Sequence, residues 1–204
     1  MRETKGTVWC IALGPGSEEY VTPQARKAME RFDRFIGDGR FSSLLPPGAH
    51  LEPLPPLAEL YARIEDLAEG EELALVVSGD TGFYSLASSL ARRFGDKVIW
   101  IPGISSLQIL ACRMRRSWAS LPAFSLHGRP FEGNLPEGEF VLLLGESLSV
   151  PDQIADVALR LAETRRAVLA WDLGLPSEKL TEGPLGDLAR REPEGRLALL
   201  WVMP

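Results

Sequence analysis

The sequence predicts an α/β protein of two domains, each a mixed, partly parallel sheet flanked by helices. Short apolar runs alternate with segments whose apolar residues recur at helical spacing, which is typical of α/β architecture. Glycine-rich loops follow several of the apolar runs, and the alternation restarts near residues 117–122. The 204 residues suffice for two domains of about 100 residues each. We therefore expect an N-terminal domain over residues 1–119 and a C-terminal domain over residues 120–204.

In the first domain, strands and helices follow one another in regular order. Thr22 precedes Pro23 as a helix N-cap precedes the first helical position. The proline-rich residues 44–56 are expected to form a loop or an extended connector. The predicted strands cover residues 8–13, 34–36, 73–77 and 97–101, and the predicted helices cover residues 23–32, 57–67, 83–94 and 105–115.

The second domain repeats the alternation with strands and two helices. Helices are predicted over residues 151–162 and 185–191. The predicted strands cover residues 123–126, 140–144, 167–171 and 197–202. Strands separated by helices indicate sheets that are at least partly parallel.

Composition excludes several classes of protein. Hydrophobic residues make up 45% and charged residues 25% of the chain, as in ordinary globular proteins. A net charge of −6 argues against a nucleic-acid partner. Cys10 and Cys112 stand apart from any Cys/His cluster, so we expect neither a disulfide framework nor a metal site. No apolar run reaches the roughly 18 residues of a membrane span or resembles a signal peptide, which predicts a cytoplasmic protein without a membrane partner.

Three loops rich in glycine, proline or serine follow predicted strands of the first domain. They read GPGS at residues 14–17, SGDTGF at 78–83 and PGISS at 102–106. Carboxyl ends of strands in an open α/β sheet face one crevice, and glycines let a ligand approach the backbone closely. Neither GxGxxG nor the Walker A pattern is present, so a nucleotide phosphate site is weakly supported. The three loops together favour a shared small-molecule site.

These loops resemble those of the tetrapyrrole methylase family, two-domain α/β enzymes that use S-adenosyl-L-methionine. Three further segments resemble the branch that methylates C5 of a corrin precursor in cobalamin biosynthesis. They are IGDGR at residues 36–40, SLHGR at 125–129 and DLGLPSE at 172–178, the last followed by Glu182-Gly183. The resemblance runs essentially from end to end of the chain.

The resemblance implies a function and partners. The reaction would be methyl transfer to C5 of precorrin-6Y or cobalt-precorrin-7, with S-adenosyl-L-homocysteine as the product. It also implies a homodimer, and a separate subunit that methylates C15 and decarboxylates an acetate arm could be a further partner. The methyl donor is expected to bind between the two halves of the chain.

The resemblance also implies site residues. The acceptor would contact His127 and Arg129, with Arg40 as a second basic candidate, although His127 could instead serve as a structural hydrogen-bonding residue. An acidic residue such as Asp80 suits a cationic donor or a hydroxyl of its ribose. The cofactor-binding positions carried over are Pro15, Gly79, Asp80, Phe83, Ser105, Ser106, Leu144, Leu173 and Leu197. For Phe83, Leu144 and Leu197 a plain core position is the alternative.

The chain departs from the family pattern at three positions. Thr81 stands where proline is usual, and Asp172 stands where asparagine is common. Glu146 belongs to a segment in which related sequences often have Leu-Thr-Asp. These departures bear on the side-chain roles at the three positions.

Two other functions are compatible with such a sequence. Diphthine synthases and one class of ribosomal-RNA methylases resemble this fold and donor, but the acidic charge and the SLHGR and DLGLP segments weigh against them. A non-catalytic protein that binds the cofactor or a tetrapyrrole is the second alternative. Turnover with a corrin precursor would distinguish an enzyme from such a sensor.

Overall fold

A computed structural model describes residues 6–127, 133–145 and 149–204. Contacts between residues divide the chain into two compact units, Met1–Ser105 and Ser106–Pro204. This division falls before a helix that the sequence assigns to the first domain, and Arg113 of this helix pairs with Glu178 of the second unit. The domain boundary expected at residues 119 and 120 stays a prediction.

The first unit contains one sheet that is parallel throughout. The strand order is β3-β2-β4-β1-β5. The strands are β1 (Thr7–Ala12), β2 (Arg34–Gly37), β3 (His50–Pro53), β4 (Glu72–Val77) and β5 (Val98–Ile101). The helices are α1 (Pro23–Met29), α2 (Leu57–Glu65) and α3 (Leu86–Phe94). Short 3₁₀ turns cover Glu18–Tyr20, Gly39–Leu44 and Gly95–Lys97.

The central strands of this sheet are buried on both faces. In β1, Ile11 belongs to one core cluster while Val8 and Cys10 belong to another. Successive side chains of a strand point to opposite faces, so a strand covered on both sides needs apolar residues nearly throughout. This explains why the apolar runs at residues 8–13 and 73–77 predicted the two central strands.

The starts of helices α1 and α3 follow from capping side chains. The Thr22 hydroxyl accepts a hydrogen bond from the Ala25 N–H at 3.1 Å, which confirms the predicted start of α1. Helix α3 was expected from residue 83 but begins at Leu86. Tyr84 has a φ of 48°, which is not helical, and Ser85 supplies the cap.

The second unit contains a mixed sheet. In the order β6-β7-β10-β8-β9, the first pair is parallel and the other pairs are antiparallel. Its strands are β6 (Ala123–Ser125), β7 (Phe140–Leu144), β8 (Arg166–Trp171), β9 (Lys179–Pro184) and β10 (Ala198–Val202). Its helices are α4 (Ser106–Met114), α5 (Val150–Arg160) and α6 (Leu185–Leu188). The predicted α/β class is confirmed; the second sheet is mixed as expected, whereas the first is parallel throughout instead of mixed.

Two strands were not predicted, and both are edge strands. Strand β3 lies in the proline-rich stretch and pairs with β2, and strand β9 ends at Pro184 and pairs with β8. An edge strand has one partner, so it tolerates proline and polar residues that hide it in the sequence.

In the described part of the chain, no helix combines the length and the apolar character that crossing a membrane requires.

Candidate functional site

The three glycine-containing loops of the first unit pack against one another. The Gly79 N–H donates to the Gly14 carbonyl at 2.8 Å. A Cβ added at Gly103 would lie 2.2 Å from the Gly79 carbonyl oxygen and 2.7 Å from the Ala12 Cβ. Such distances exclude any side chain at position 103. The loops after β1, β4 and β5 therefore meet at one edge of the sheet.

Asp80 fixes two of these loops with its carboxylate. Its Oδ1 accepts from the Gly82 N–H at 2.8 Å, and its Oδ2 accepts from the Gly103 N–H at 3.1 Å. Each carboxylate oxygen has a second lone pair, so a further donor could still approach. Bridging the second and third loops is a role that its sequence position alone did not indicate.

The neighbouring loop residues differ in burial. Ser105 is buried, and so is Pro15. Phe83 is half-buried and stacks edge-on against Tyr84 with ring centroids 5.1 Å apart. Thr81, where the family usually has proline, is buried, and its carbonyl accepts from a serine hydroxyl of α3.

Few atoms surround the position that a side chain at Gly79 would occupy. Among the described residues, a Cβ added there would meet the Ser105 Cα at 3.8 Å and nothing else within 4 Å. Gly79 has a φ of 67°, which favours glycine over residues with a side chain. The backbone here can approach a ligand.

In the second unit, Asp172 brings two predicted cofactor positions together. Its Oδ1 accepts from the N–H groups of Arg196 and Leu197, at 3.0 and 3.2 Å. Its Oδ2 accepts from the Ser177 hydroxyl at 3.0 Å. Leu173 follows directly in sequence, so the carboxylate holds Leu173 beside Leu197. Leu173 is buried and Leu197 is half-buried.

Glu178 holds the other end of the same turn. It accepts from the Gly174 N–H at 2.7 Å and from the Arg113 guanidinium at 2.6 and 3.3 Å. The hydrogen bond from Arg113 lowers the pKa of the Glu178 carboxyl, which burial opposes. The DLGLPSE turn is therefore held at both ends by carboxylates.

His127 lies at the end of β6 and is half-buried. Its Nε2 is 2.7 Å from the carbonyl oxygen of Leu144. A carbonyl oxygen can only accept, so Nε2 carries a hydrogen and a neutral ring has its lone pair at Nδ1. The Leu144 side chain is fully buried in the core of the second unit, which agrees with the alternative of a plain core position.

Gln153 lies beside His127 and Leu144 in the structure, and the sequence analysis did not identify it. It is 3% exposed and lies on the apolar face of α5. The Gly145 N–H donates to its Oε1 at 2.8 Å, and its Nε2 donates to the Leu126 carbonyl at 3.1 Å. A polar side chain among the apolar residues of a predicted helix was the available signal.

Of the remaining predicted residues, Ser106 is the first residue of α4 and is half-buried. Arg129 and Glu146 lie outside the described residues. Arg40 follows β2, where it stacks on Phe41 at 4.7 Å and approaches Asp38 at 3.7 Å. Within the described ranges, no group of three His, Cys, Asp or Glu residues could hold a metal ion.

The fold and the loops define a class: two-sheet α/β proteins whose first sheet gathers glycine loops at one edge. Residues 7–189 match the family of tetrapyrrole (corrin/porphyrin) methylases. The chain belongs to this family, which confirms the resemblance stated from the motifs.

Curated relatives match over part of their length. A probable cobalt-precorrin-7 C(5)-methyltransferase of Methanocaldococcus jannaschii is 28% identical over 129 residues, which are 60% of this chain and 61% of the relative. The cobalamin biosynthesis protein CobIJ of Mycobacterium bovis is 28% identical over 121 residues, which are 53% of this chain and 23% of the relative. The chain therefore spans less than two thirds of these relatives.

Solved structures share the fold over nearly the whole chain. The precorrin-6Y methylase (cbiE) of Archaeoglobus fulgidus has a TM-score of 0.70 at 20% identity, covering 97% of both chains. The uroporphyrin-III C-methyltransferase of Thermus thermophilus, complexed with S-adenyl homocysteine, has a TM-score of 0.66 at 21% identity and covers 97% of both chains. At this identity the similarity establishes the tetrapyrrole methylase fold predicted from the sequence.

Proposed function

We propose that this protein is an S-adenosyl-L-methionine-dependent methyltransferase that acts on C5 of a corrin precursor in cobalamin biosynthesis. The observation that carries the proposal is the junction of the three glycine loops around Asp80, in a chain of the tetrapyrrole methylase family. The similarity to a C5-methyltransferase and the SLHGR and DLGLPSE segments favour C5 among the ring positions.

The glycine loops of the first unit leave backbone that such a cofactor can approach. Gly79 carries no side chain, so a ligand can approach its backbone closely, and the Cα of the buried Ser105 lies 3.8 Å from the position that a Cβ there would take. S-adenosyl-L-methionine supplies a methyl group already activated by its sulfonium charge. The protein then has to hold donor and acceptor in line, which can lower a barrier by about 7–11 kcal/mol. Few acid–base groups are needed for this.

The proposed cofactor-binding residues are those predicted from the sequence. In the first unit, Asp80 would act mainly by holding its loops in place, because both of its oxygens accept loop amides. In the second unit, Leu173 and Leu197 are held together by Asp172. The full set is Pro15, Gly79, Asp80, Phe83, Ser105, Ser106, Leu144, Leu173 and Leu197.

The proposed acceptor contacts are His127 and Arg129. Corrin precursors carry acetate and propionate carboxylates, which arginine binds with two parallel hydrogen bonds. His127 would offer Nδ1, since Nε2 is engaged by Leu144. Precorrin-6Y and cobalt-precorrin-7 are both substrates that fit this proposal.

We propose in addition that the protein acts in the cytoplasm as a homodimer, and that a subunit that methylates C15 and decarboxylates an acetate arm is a further partner. Light scattering tests the dimer directly. We expect a particle of twice the 22.4 kDa chain mass. A particle of the chain mass at all concentrations would contradict it.

Two experiments test the function: a binding measurement first, and then a turnover measurement. Calorimetry should detect S-adenosyl-L-methionine binding, and incubation with a corrin precursor unmethylated at C5 should yield S-adenosyl-L-homocysteine and the C5-methylated product. Mass spectrometry and NMR of the product identify the methylated carbon. Binding without turnover would overturn the enzyme assignment, and methylation of another ring carbon would overturn the C5 assignment.

A further inference from the structure

Helix α5 buries an amide side chain among apolar neighbours. Gln153 is 3% exposed, and the other buried residues of this helix are Val150, Ile154, Val157 and Ala158. A buried amide costs free energy unless its polar atoms are hydrogen-bonded. Both ends of Gln153 are used: Oε1 accepts from Gly145, and Nε2 donates to Leu126.

The two partners of Gln153 follow the ends of two neighbouring strands. Leu126 comes directly after β6, and Gly145 comes directly after β7. The strand pairing ends here with the Leu126 N–H donating to the Leu143 carbonyl at 2.8 Å. Gln153 thus continues the connection between the two chain segments where the backbone pairing stops.

The next contact involves His127. Its Nε2 donates to the carbonyl of Leu144 at 2.7 Å. His127 follows Leu126, and Leu144 precedes Gly145, so Gln153 holds the chain one residue away on each side of this bond. A change in Gln153 therefore alters the distance between the imidazole and the carbonyl that orients it. Such an orienting bond fixes which ring nitrogen carries the proton.

We propose that Gln153 is a positioning residue that keeps His127 in its Nε2–H form and presents Nδ1 as a hydrogen-bond acceptor to the corrin precursor. The role of Nδ1 rests on the proposed function, whereas the tautomer and its dependence on Gln153 do not. Gln153 itself touches no reacting atom. It acts through the segments ending at Leu126 and Gly145.

The tautomer is measured by long-range ¹H–¹⁵N NMR on the full-length ¹⁵N-labelled protein. The chain has two histidines, and the exposed His50 provides an internal reference. A His50→Gln variant assigns the signals. In the wild type we expect neutral His127 to be protonated at Nε2. Gln153→Met keeps the side-chain length but removes both hydrogen bonds, and we expect it to give a mixture of both tautomers.

Val157→Ala is the matched control. Val157 is 1% exposed on the same helix and in the same core, so its truncation lowers stability but removes no hydrogen bond to Leu126 or Gly145. We expect the wild-type tautomer in this variant. Gln153→Leu is the second variant, should Gln153→Met not fold. A wild-type His127 protonated at Nδ1, or an unchanged tautomer in the folded Gln153 variant, would overturn the proposal.

Kinetics provide the second measurement, at a temperature where all variants are folded. Gln153→Met should reduce kcat by about tenfold or more through misplacement of His127. Val157→Ala should retain kcat. Equal kcat losses in both variants would show that Gln153 contributes only to stability, which would contradict its positioning role. If the wild type transfers no methyl group, the proposed function fails, and the NMR measurement still decides the positioning role.

Discussion

Asp80 connects two loops of the first unit through both carboxylate oxygens, and this changes what a substitution there should do. A residue that contacts only the cofactor would affect binding and leave stability unchanged. A residue that accepts the Gly82 and Gly103 amides should affect both. The two roles are distinguishable at this residue because stability and binding are measured separately.

We expect Asp80→Ala to lower the free energy of unfolding by about 1.5–3 kcal/mol, the cost of losing charge-assisted hydrogen bonds. S-adenosyl-L-methionine should also bind more weakly, because the loops separate. Denaturant unfolding and calorimetry measure the two effects, and Ser105→Ala should weaken binding as well. Unchanged affinity in both variants would refute the proposed cofactor loops. Weakened binding at unchanged stability would instead make Asp80 a direct ligand of the cofactor.

Asp172 combines an unusual backbone conformation with three accepted hydrogen bonds. Its φ is 47°, a region that aspartate and asparagine adopt more readily than most residues. This accounts for the family's preference for asparagine here, since either side chain can cap the two backbone amides. Aspartate also accepts a hydrogen bond from the Ser177 hydroxyl. With asparagine at position 172, the hydroxyl would rotate and accept a hydrogen bond from the amide nitrogen instead.

We expect Asp172→Asn to cost less than about 1 kcal/mol of unfolding free energy and Asp172→Ala about 1.5–3 kcal/mol, because alanine removes the acceptor of the part-buried Arg196 and Leu197 N–H groups. Denaturant unfolding measures both, with Ser177→Ala as the control for the hydroxyl alone. Equal losses in the asparagine and alanine variants would show that the charge, and not the acceptor geometry, stabilises the turn.

At the scale of elements, the DLGLPSE turn is connected to helix α4 by the ion pair between Glu178 and Arg113. The Glu178 side chain is 17% exposed, so solvent screens this pair less than the fully exposed pairs of the same unit. The lowered pKa of Glu178 sets the sign of the pH effect. The pair stabilises the fold above the ordinary pKa of a glutamate, and this stabilisation is lost as the pH falls through the lowered pKa of the folded state.

We therefore expect the difference in unfolding free energy between wild type and Glu178→Gln to be largest above about pH 5 and to vanish in more acidic solution. Denaturant unfolding across this pH range measures it. Glu182→Gln is the matched control, because Glu182 pairs with Arg166 in an exposed position, where the loss should stay below about 1 kcal/mol. A Glu178→Gln difference that does not change with pH would contradict the assignment.

Elements differed in how far the sequence could predict them, and the reason is burial. Strands β1, β4, β7, β8 and β10 are rich in buried apolar residues, so apolar runs predicted them. Edge strands β3 and β9 are partly polar and end in proline, so no apolar run marked them. Residues whose role is to hydrogen-bond a distant backbone group, such as Gln153, depend on tertiary contacts that no local pattern contains.

For the whole molecule, the motifs predicted more than the periodicity did. Periodicity predicted alternating strands and helices, and the glycine loops predicted their meeting point, because only glycine fits at Gly103. The family followed from the combination of motifs and is confirmed over residues 7–189. The side-chain partners of Asp80, Asp172 and His127 required the structure, because each is bonded to residues far along the chain.

Cofactor binding should stabilise the whole chain by mass action. A ligand that binds the folded state alone, at 100 times its dissociation constant, adds about 2.7 kcal/mol to the free energy of unfolding. For a protein of about 200 residues this raises the melting temperature by roughly 5–10 °C. Thermal unfolding with S-adenosyl-L-methionine or S-adenosyl-L-homocysteine measures the shift.

Two variants test whether this rise in melting temperature comes from the proposed cofactor site. At the same cofactor concentration, Asp80→Ala should show a smaller rise because its affinity is lower, whereas Glu182→Gln, at an exposed ion pair, should rise as the wild type does. Since the rise depends on affinity and not on starting stability, the two variants separate loss of binding from loss of stability. A wild type whose melting temperature is unmoved by millimolar cofactor would not be an S-adenosyl-L-methionine-binding protein, whatever its fold.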